Sequence, residues 1–194
     1  MRRLLIVIAL LFAHTAVSGD YEDGWAAYEQ KDYATAFSKF RSAAQLGNAA
    51  AQALVGMMYS EGLGVAQDYK EAVRWWLLAA KQGNSTAQYN LGNMYRNGHD
   101  IAQDYKEAVR WYRLAAQQGL TEAQHNLGFM YGNGQGVLQD HTRAHMWSNI
   151  AAINGDKGSV KNRDIVASKM SPQQIEQAQR MARECMASNF KKCD

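Results

Sequence analysis

Residues 66–75 read Ala-Gln-Asp-Tyr-Lys-Glu-Ala-Val-Arg-Trp, and residues 102–111 repeat those amino acids in the same order, 36 positions later. Sliding the whole sequence by that interval superposes far more than this segment. Ala51, Ala87 and Ala123 coincide, as do Gly56/Gly92/Gly128, Tyr59/Tyr95/Tyr131, Gly62/Gly98/Gly134, Asp68/Asp104/Asp140, Ala72/Ala108/Ala144, Trp75/Trp111/Trp147 and Gly83/Gly119/Gly155. A period of this length marks a stack of small supersecondary units, each burying its apolar faces against its neighbours.

Each unit predicts two helices. The second starts at an Asp whose carboxylate can accept from free backbone N–H groups, and Glu71 and Glu107, three residues on, predict a reciprocal capping box in two of the three copies. It stops at the recurring Gly, which enters the left-handed conformation without a side-chain clash. The first helices are predicted near residues 49–60, 85–96 and 121–132, with Ala and Gly where a neighbouring helix must come close and Tyr filling the space alongside. Gly62-Leu63-Gly64, Gly98-His99-Asp100 and Gly134-Gln135-Gly136 join the two helices, and Asp100 is acceptable there because Asp visits positive φ more readily than most residues. Pairs that cannot bury both faces alone must stack, so the predicted fold is all-α, a right-handed α/α superhelical solenoid.

Full copies are expected over 51–86, 87–122 and 123–158. Ahead of them, Ala36, Phe40, Ala43, Ala44 and Gly47 fall 36 residues before Ala72, Trp76, Ala79, Ala80 and Gly83, giving a shorter helix pair over 19–48 with a connecting loop about four residues shorter. After Gly158 the repeat is expected to dissolve into capping helices over 159–194. Ser171-Pro172-Gln173-Gln174 announces one of them, with Ile175, Ala178, Met181, Ala182 and Cys185 on one face.

The chain opens Met1-Arg2-Arg3, followed by an apolar run from Leu4 to Ala13 and small residues at Ala16 and Ser18. This pattern predicts a Sec-type signal peptide over 1–18. The apolar run is too short for a hydrocarbon core that takes roughly 20 residues, so the expectation is a periplasmic or secreted protein with no stable membrane insertion after cleavage. Without residues 1–18 the 21 basic side chains fall to 19 against 18 acidic ones. A near-neutral surface with no Lys/Arg stripe argues against a nucleic-acid partner. Both cysteines, Cys185 and Cys193, lie in the last ten residues, and in an oxidising compartment they are expected to join as a disulfide.

The run Ala87, Leu91, Gly92, Tyr95, Gly98, Asp104, Ala108, Trp111, Ala115, Ala116 and Gly119 resembles the Sel-1-like repeat family, relatives of the tetratricopeptide repeat. The resemblance covers 51–158, while the unit before it is closer to a plain tetratricopeptide repeat. It implies an α/α superhelix acting as an adaptor in protein assemblies, often in exported bacterial proteins. Val55 in a Leu slot, Asp100 in the second glycine pair, and Thr142 and Met146 in the last copy depart from the pattern.

The sequence carries no Gly-x-Ser-x-Gly, no His-Glu-x-x-His and no Gly-Lys from which to build a phosphate loop. Some cysteine-rich members of the resembled family are associated with penicillin binding, but the single Ser-x-x-Lys here, Ser188 to Lys191, sits in the terminal tail without its companion motifs. His141 and His145, four apart, could offer two metal ligands, but they occupy packing slots held elsewhere by Tyr69/Tyr105 and Val73/Val109. The Trp75/Trp111/Trp147 stripe fits packing rather than a ligand cage. No enzyme activity, cofactor or metal is therefore expected.

Specificity should then come from positions that fail to repeat. One face of the first helices, expected to line a concave groove, reads Ala53/Met57/Ser60, Tyr89/Asn93/Arg96 and His125/Phe129/Gly132. Tyr89, Asn93, Arg96, His125 and Phe129 are the candidate contacts for a peptide or protein partner, since aromatic and Arg side chains make interface anchors. A cell-wall or carbohydrate-binding or processing role is the alternative, resting on the same aromatics.

Overall fold

The computed structural model describes residues 19–193; the expected signal peptide lies outside them. The chain divides into two compact units between Ala87 and Gln88. The first holds α1 (residues 19–29), α2 (Tyr33–Gln45), α3 (Ala49–Glu61) and α4 (Tyr69–Lys81). α5 (Ser85–Asn97) lies mostly in the second, with α6 (Tyr105–Ala116), α7 (Thr121–Asn133), α8 (His141–Ile153), α9 (Lys157–Ala167) and α10 (Pro172–Ala187). Helix follows helix in antiparallel pairs, and among the described residues no strand occurs. This is an all-α solenoid of paired helices.

Local chemistry sets each boundary. Asp68 and Asp104 accept from the backbone N–H groups two and three residues on, and Asp140 from that of Arg143. The reciprocal half of the capping box does not form at Glu71 and Glu107. The backbone N–H of Asp68 donates to the carbonyl of Tyr59, and that of Asp104 to Tyr95, as Asp140 does to Tyr131. With that donor occupied, Glu71 and Glu107 turn to Arg74 and Arg110 instead. At the other end, Gly83, Gly119 and Gly155 take φ of 89°, 86° and 96°. The residue after each glycine reaches back to Ala79, Ala115 or Ala151, so one of the paired alanines supplies the closing carbonyl. That same residue begins the next helix: the side chains of Asn48, Asn84 and Asp156 cap α3, α5 and α9, whereas Leu120 gives α7 no side-chain cap.

The glycine on each first helix is a packing position. A Cβ on Gly24 would lie 2.6 Å from Phe40, on Gly56 2.6 Å from Trp76, on Gly92 2.5 Å from Tyr112 and on Gly128 2.7 Å from the Ser148 hydroxyl. These contacts bring each second helix down onto its partner. Gly64 and Gly136 are needed for a different reason: a Cβ would meet the backbone carbonyl of Tyr33 at 2.0 Å and of Tyr105 at 2.1 Å. Asp100 does adopt the left-handed conformation of that slot, at φ 53°.

In the first unit the core gathers Ala36, Phe40, Ala43, Ala51, Val55 and Met58. In the second it gathers Tyr112, Leu127, Met130, Met146, Trp147 and Ile150. Trp111 and Trp147 are buried and Trp75 is half-buried, as a packing role requires. Buried glutamines tie the pairs together. Gln52 donates to the Ala44 carbonyl and accepts from Gln82; Gln124 donates to Ala116 and accepts from Asn154; Gln88 accepts from Gln118. Satisfying these amides internally makes their burial affordable.

At the carboxyl end the register outlasts the recognisable sequence. α9 starts at Lys157, 36 residues after Thr121 opens α7, and its capping residue Asp156 stands where Asn48 and Asn84 do. Gly158 lies inside this helix. α10 packs on α8 through Ala178, Ala182 and Cys185, and carries the complete capping box at Ser171 and Gln174. Cys185 and Cys193 are joined, both buried. The closed tail lays Phe190 against Gly119, where a Cβ would come 3.3 Å from its ring.

Candidate functional site

In the second unit α5 carries Tyr89/Asn93/Arg96 and α7 carries His125/Phe129/Gly132 at matching positions, and the same register on α9 gives Lys161/Ile165/Ser168. Phe129 and Ile165 thus hold one structural slot on successive first helices. Both are apolar and exposed, at 40% and 47%. They line a hollow of about 200 Å³ together with Gly132, Asn162, Val166 and Lys169. Phe129 also borders a wider hollow of about 500 Å³, shared with Arg96, His99, Gln103, Tyr105 and Gln135. Arg96 and Phe129 are therefore brought to one site.

The other three candidates have structural engagements. The side-chain carbonyl of Asn93 accepts from the Tyr112 hydroxyl at 2.7 Å and from the Asn126 amide at 3.4 Å; Asn126 in turn accepts from Arg96 Nη1 at 3.3 Å. This chain of bonds fixes one edge of the guanidinium against α7. Tyr89 tilts over Tyr112 with ring centroids 6.0 Å apart. Burial pushes the Tyr112 phenol up, against the pull of the Arg96 charge, so it stays a neutral donor to Asn93. His125 Nδ1 lies 2.9 Å from Asp156 Oδ1 and 2.8 Å from Ser159 Oγ. It fastens the start of α9 to α7. Burial alone would raise the Asp156 carboxyl, but its bonds from Ser159 and His125 outweigh that and hold it below the usual range.

Ile165 and Lys169 belong to the site and were not among the sequence candidates. The signal was the 36-residue offset from Phe129 and Asn133, which continues past the point where the repeat sequence fades. The first unit has its own unrecognised counterpart: across the shorter first loop, Tyr21, Trp25 and Tyr28 occupy the slots of Ala53, Met57 and Ser60. Trp25 is 38% exposed and meets Tyr28 and Phe40 edge-on, with centroids 5.6 and 5.7 Å apart.

Among the described residues no three His, Cys, Asp or Glu side chains gather as a metal site. His145 is buried, and desolvation, aided by Arg163, lowers its pKa while Asp164 opposes. The Ser188 hydroxyl donates to the Cys185 carbonyl and accepts from the Lys192 N–H, closing the terminal turn. Among the described residues no helix is long and apolar enough to cross a membrane.

The family model described as "Sel1 repeat" matches four consecutive stretches, residues 13–48, 49–84, 85–120 and 121–156. The structure is similar to that of a protective antigen present in uropathogenic Escherichia coli strains, described as displaying an SLR fold, with TM-score 0.82 and 32% identity over 92% of this chain. This chain spans 40% of that protein's length. A Sel1 repeat protein from Oxalobacter formigenes aligns with TM-score 0.61 and 35% identity over 66% of this chain and 96% of its own. Helicobacter pylori cysteine rich protein B, with TM-score 0.52 and 19% identity over 64% of this chain and 95% of its own, shares the fold. No curated protein sequence matches significantly.

Proposed function

The chain belongs to the Sel1 repeat family, and on that premise we propose that it is a non-enzymatic interaction scaffold of the cell envelope or secreted space. It holds a peptide or protein segment in the groove along α5, α7 and α9. The family is one of protein–protein interaction scaffolds. The observation that carries the groove reading is Phe129, an exposed aromatic that borders both hollows and shares the smaller one with the exposed Ile165. Such an anchor supplies buried area on binding, and truncating an interface anchor of this type costs about 2 kcal/mol, roughly thirtyfold in affinity. Export is supported by the joined cysteines, which persist in oxidising compartments.

A photo-crosslinker placed at Asn133, on the rim of the smaller hollow, tests this in the exporting cell. The expected result is a discrete crosslinked protein whose yield collapses with Phe129→Ala and falls with Arg96→Ala. Unchanged crosslinking in Phe129→Ala would remove the groove as the binding site. Retention on cell-wall polymer with no crosslinked protein would replace the peptide reading with a carbohydrate one.

A further inference from the structure

We propose that the segment this groove takes is an acidic one: an extended peptide with a single apolar side chain between two carboxylate-bearing residues. This rests on the groove reading above and adds the chemistry of the occupant. The smaller hollow offers an apolar seat of Phe129, Ile165 and Val166. Neither hollow has an Asp or Glu in its lining, while Arg96 borders one and Lys169 the other. The charge is therefore one-sided in a molecule whose two signs are nearly balanced overall.

The two fixed cations are also available. Arg110, Arg143 and Arg163 each pair with a neighbouring carboxylate at 3.0 Å or less. Arg96 and Lys169 pair with none among the described residues, and the guanidinium of Arg96 meets only neutral groups, the Asn126 amide and the Tyr112 phenol. Those contacts orient it without neutralising it, leaving its remaining donors for a carboxylate.

The spacing follows from the repeat. Arg96 sits in the last turn of α5, and Lys169 falls two residues beyond α9, at the position of Asn97 and Asn133. Two helix spacings of about 8–10 Å separate them. A chain at about 3.4 Å per residue covers that in roughly five or six residues. Phe129, on the intervening helix, faces the middle of such a segment.

The test is selection from a phage-displayed library of random dodecapeptides on the full mature chain. Enriched peptides should carry Asp or Glu on both sides of a Leu, Ile or Phe, about five residues apart. Binding should weaken with added salt. Arg96→Gln should weaken it about tenfold or more, and the exposed Lys169→Gln about two- to fivefold. The exposed Lys169 side chain has no hydrogen bond or ion pair among the described residues, and its backbone N–H bond to Val166 is kept in Lys169→Gln, so that variant reads the charge. Enriched neutral or basic peptides that still require Phe129 would overturn the acidic occupant while leaving the groove intact. Enrichment of nothing above background would overturn both. Retention on polygalacturonate without peptide enrichment would place an acidic glycan there and equally overturn the proposal.

Discussion

The pairs α3–α4 and α7–α8 share a frame, with the same helix lengths, the same capping Asp and a glycine facing the partner helix, but they are filled differently. In the first pair Gly56 lies under the indole of Trp76, whose Nε1 donates to the Ala53 carbonyl at 3.1 Å. In the second, Gly128 faces Ser148, and its hypothetical Cβ would also come 3.1 Å from the Ser148 backbone nitrogen and 3.2 Å from the Ala144 carbonyl. A large ring with its polar atom satisfied separates one pair. A small hydroxyl, buried and without a hydrogen-bond partner, lets the other close until backbone faces glycine. The lesson is that the repeated glycine keeps the architecture, while the residue opposite sets how closely each pair packs and how much it is stabilised.

Converting the first pair toward the second should give the largest effect. Trp76→Ser deletes a buried indole and its bond to Ala53 without letting α3 and α4 collapse fully. The expected loss is about 4 kcal/mol, read as a lower denaturation midpoint. A loss under about 1 kcal/mol would mean the two helices close freely, and that the difference between the pairs is not built into the frame.

The reverse change is the next largest. Ser148→Tyr restores the aromatic of the preceding copy, but α7 and α8 already approach to backbone distance at Gly128. Overpacking should cost about 2 kcal/mol. A stabilised variant would show instead that the last pair has unused room. Both changes are best followed by hydrogen exchange as well as by midpoint, because stacked repeats can open one unit at a time.

These two pairs also mark what could be read in advance. Asp68, Asp104 and Asp140 announce their helices because capping depends on a few adjacent residues. The recurrence of Gly56, Gly92 and Gly128 was equally plain, but the atom each faces lies 20 residues away and changes from Trp76 to Tyr112 to Ser148. The capping box at Glu71 failed for a similar reason: its backbone donor had gone to Tyr59 across the loop. In the proposed groove, Arg96 and Phe129 are readable from the sequence as non-repeating aromatic and Arg side chains. Ile165 and Lys169 were hidden because α9 puts Arg163 where earlier copies have Val55, Leu91 and Leu127, and Asp164 where they have glycine. The apolar pattern broke while the 36-residue register continued. Spatial neighbours such as His125 and Asp156, 31 residues apart in the chain, leave no local pattern at all.

The smallest effect separates the pairs by pH. Where the earlier copies have Val73 and Val109, α8 has His145, 3% exposed and with Nδ1 unpartnered. Burial and then Arg163 lower its pKa in the folded chain, with Asp164 pulling the other way. The unfolded chain, with a histidine near 6.5, binds the proton more readily, so stability rises with pH through this window. The protonation penalty is absent above about pH 6.5 and grows as pH falls below that toward the lowered folded value. His145→Val, which puts the frame residue back, should leave stability at pH 7.5 within about 1 kcal/mol of the parent, since it is close to a volume-conserving apolar replacement. It should flatten the decline between pH 7 and pH 5, so that the variant is the more stable of the two at pH 5. Denaturant midpoints of both chains across that range give the answer. Parallel pH profiles would show that protonating His145 is not what weakens the α7–α8 pair in acid.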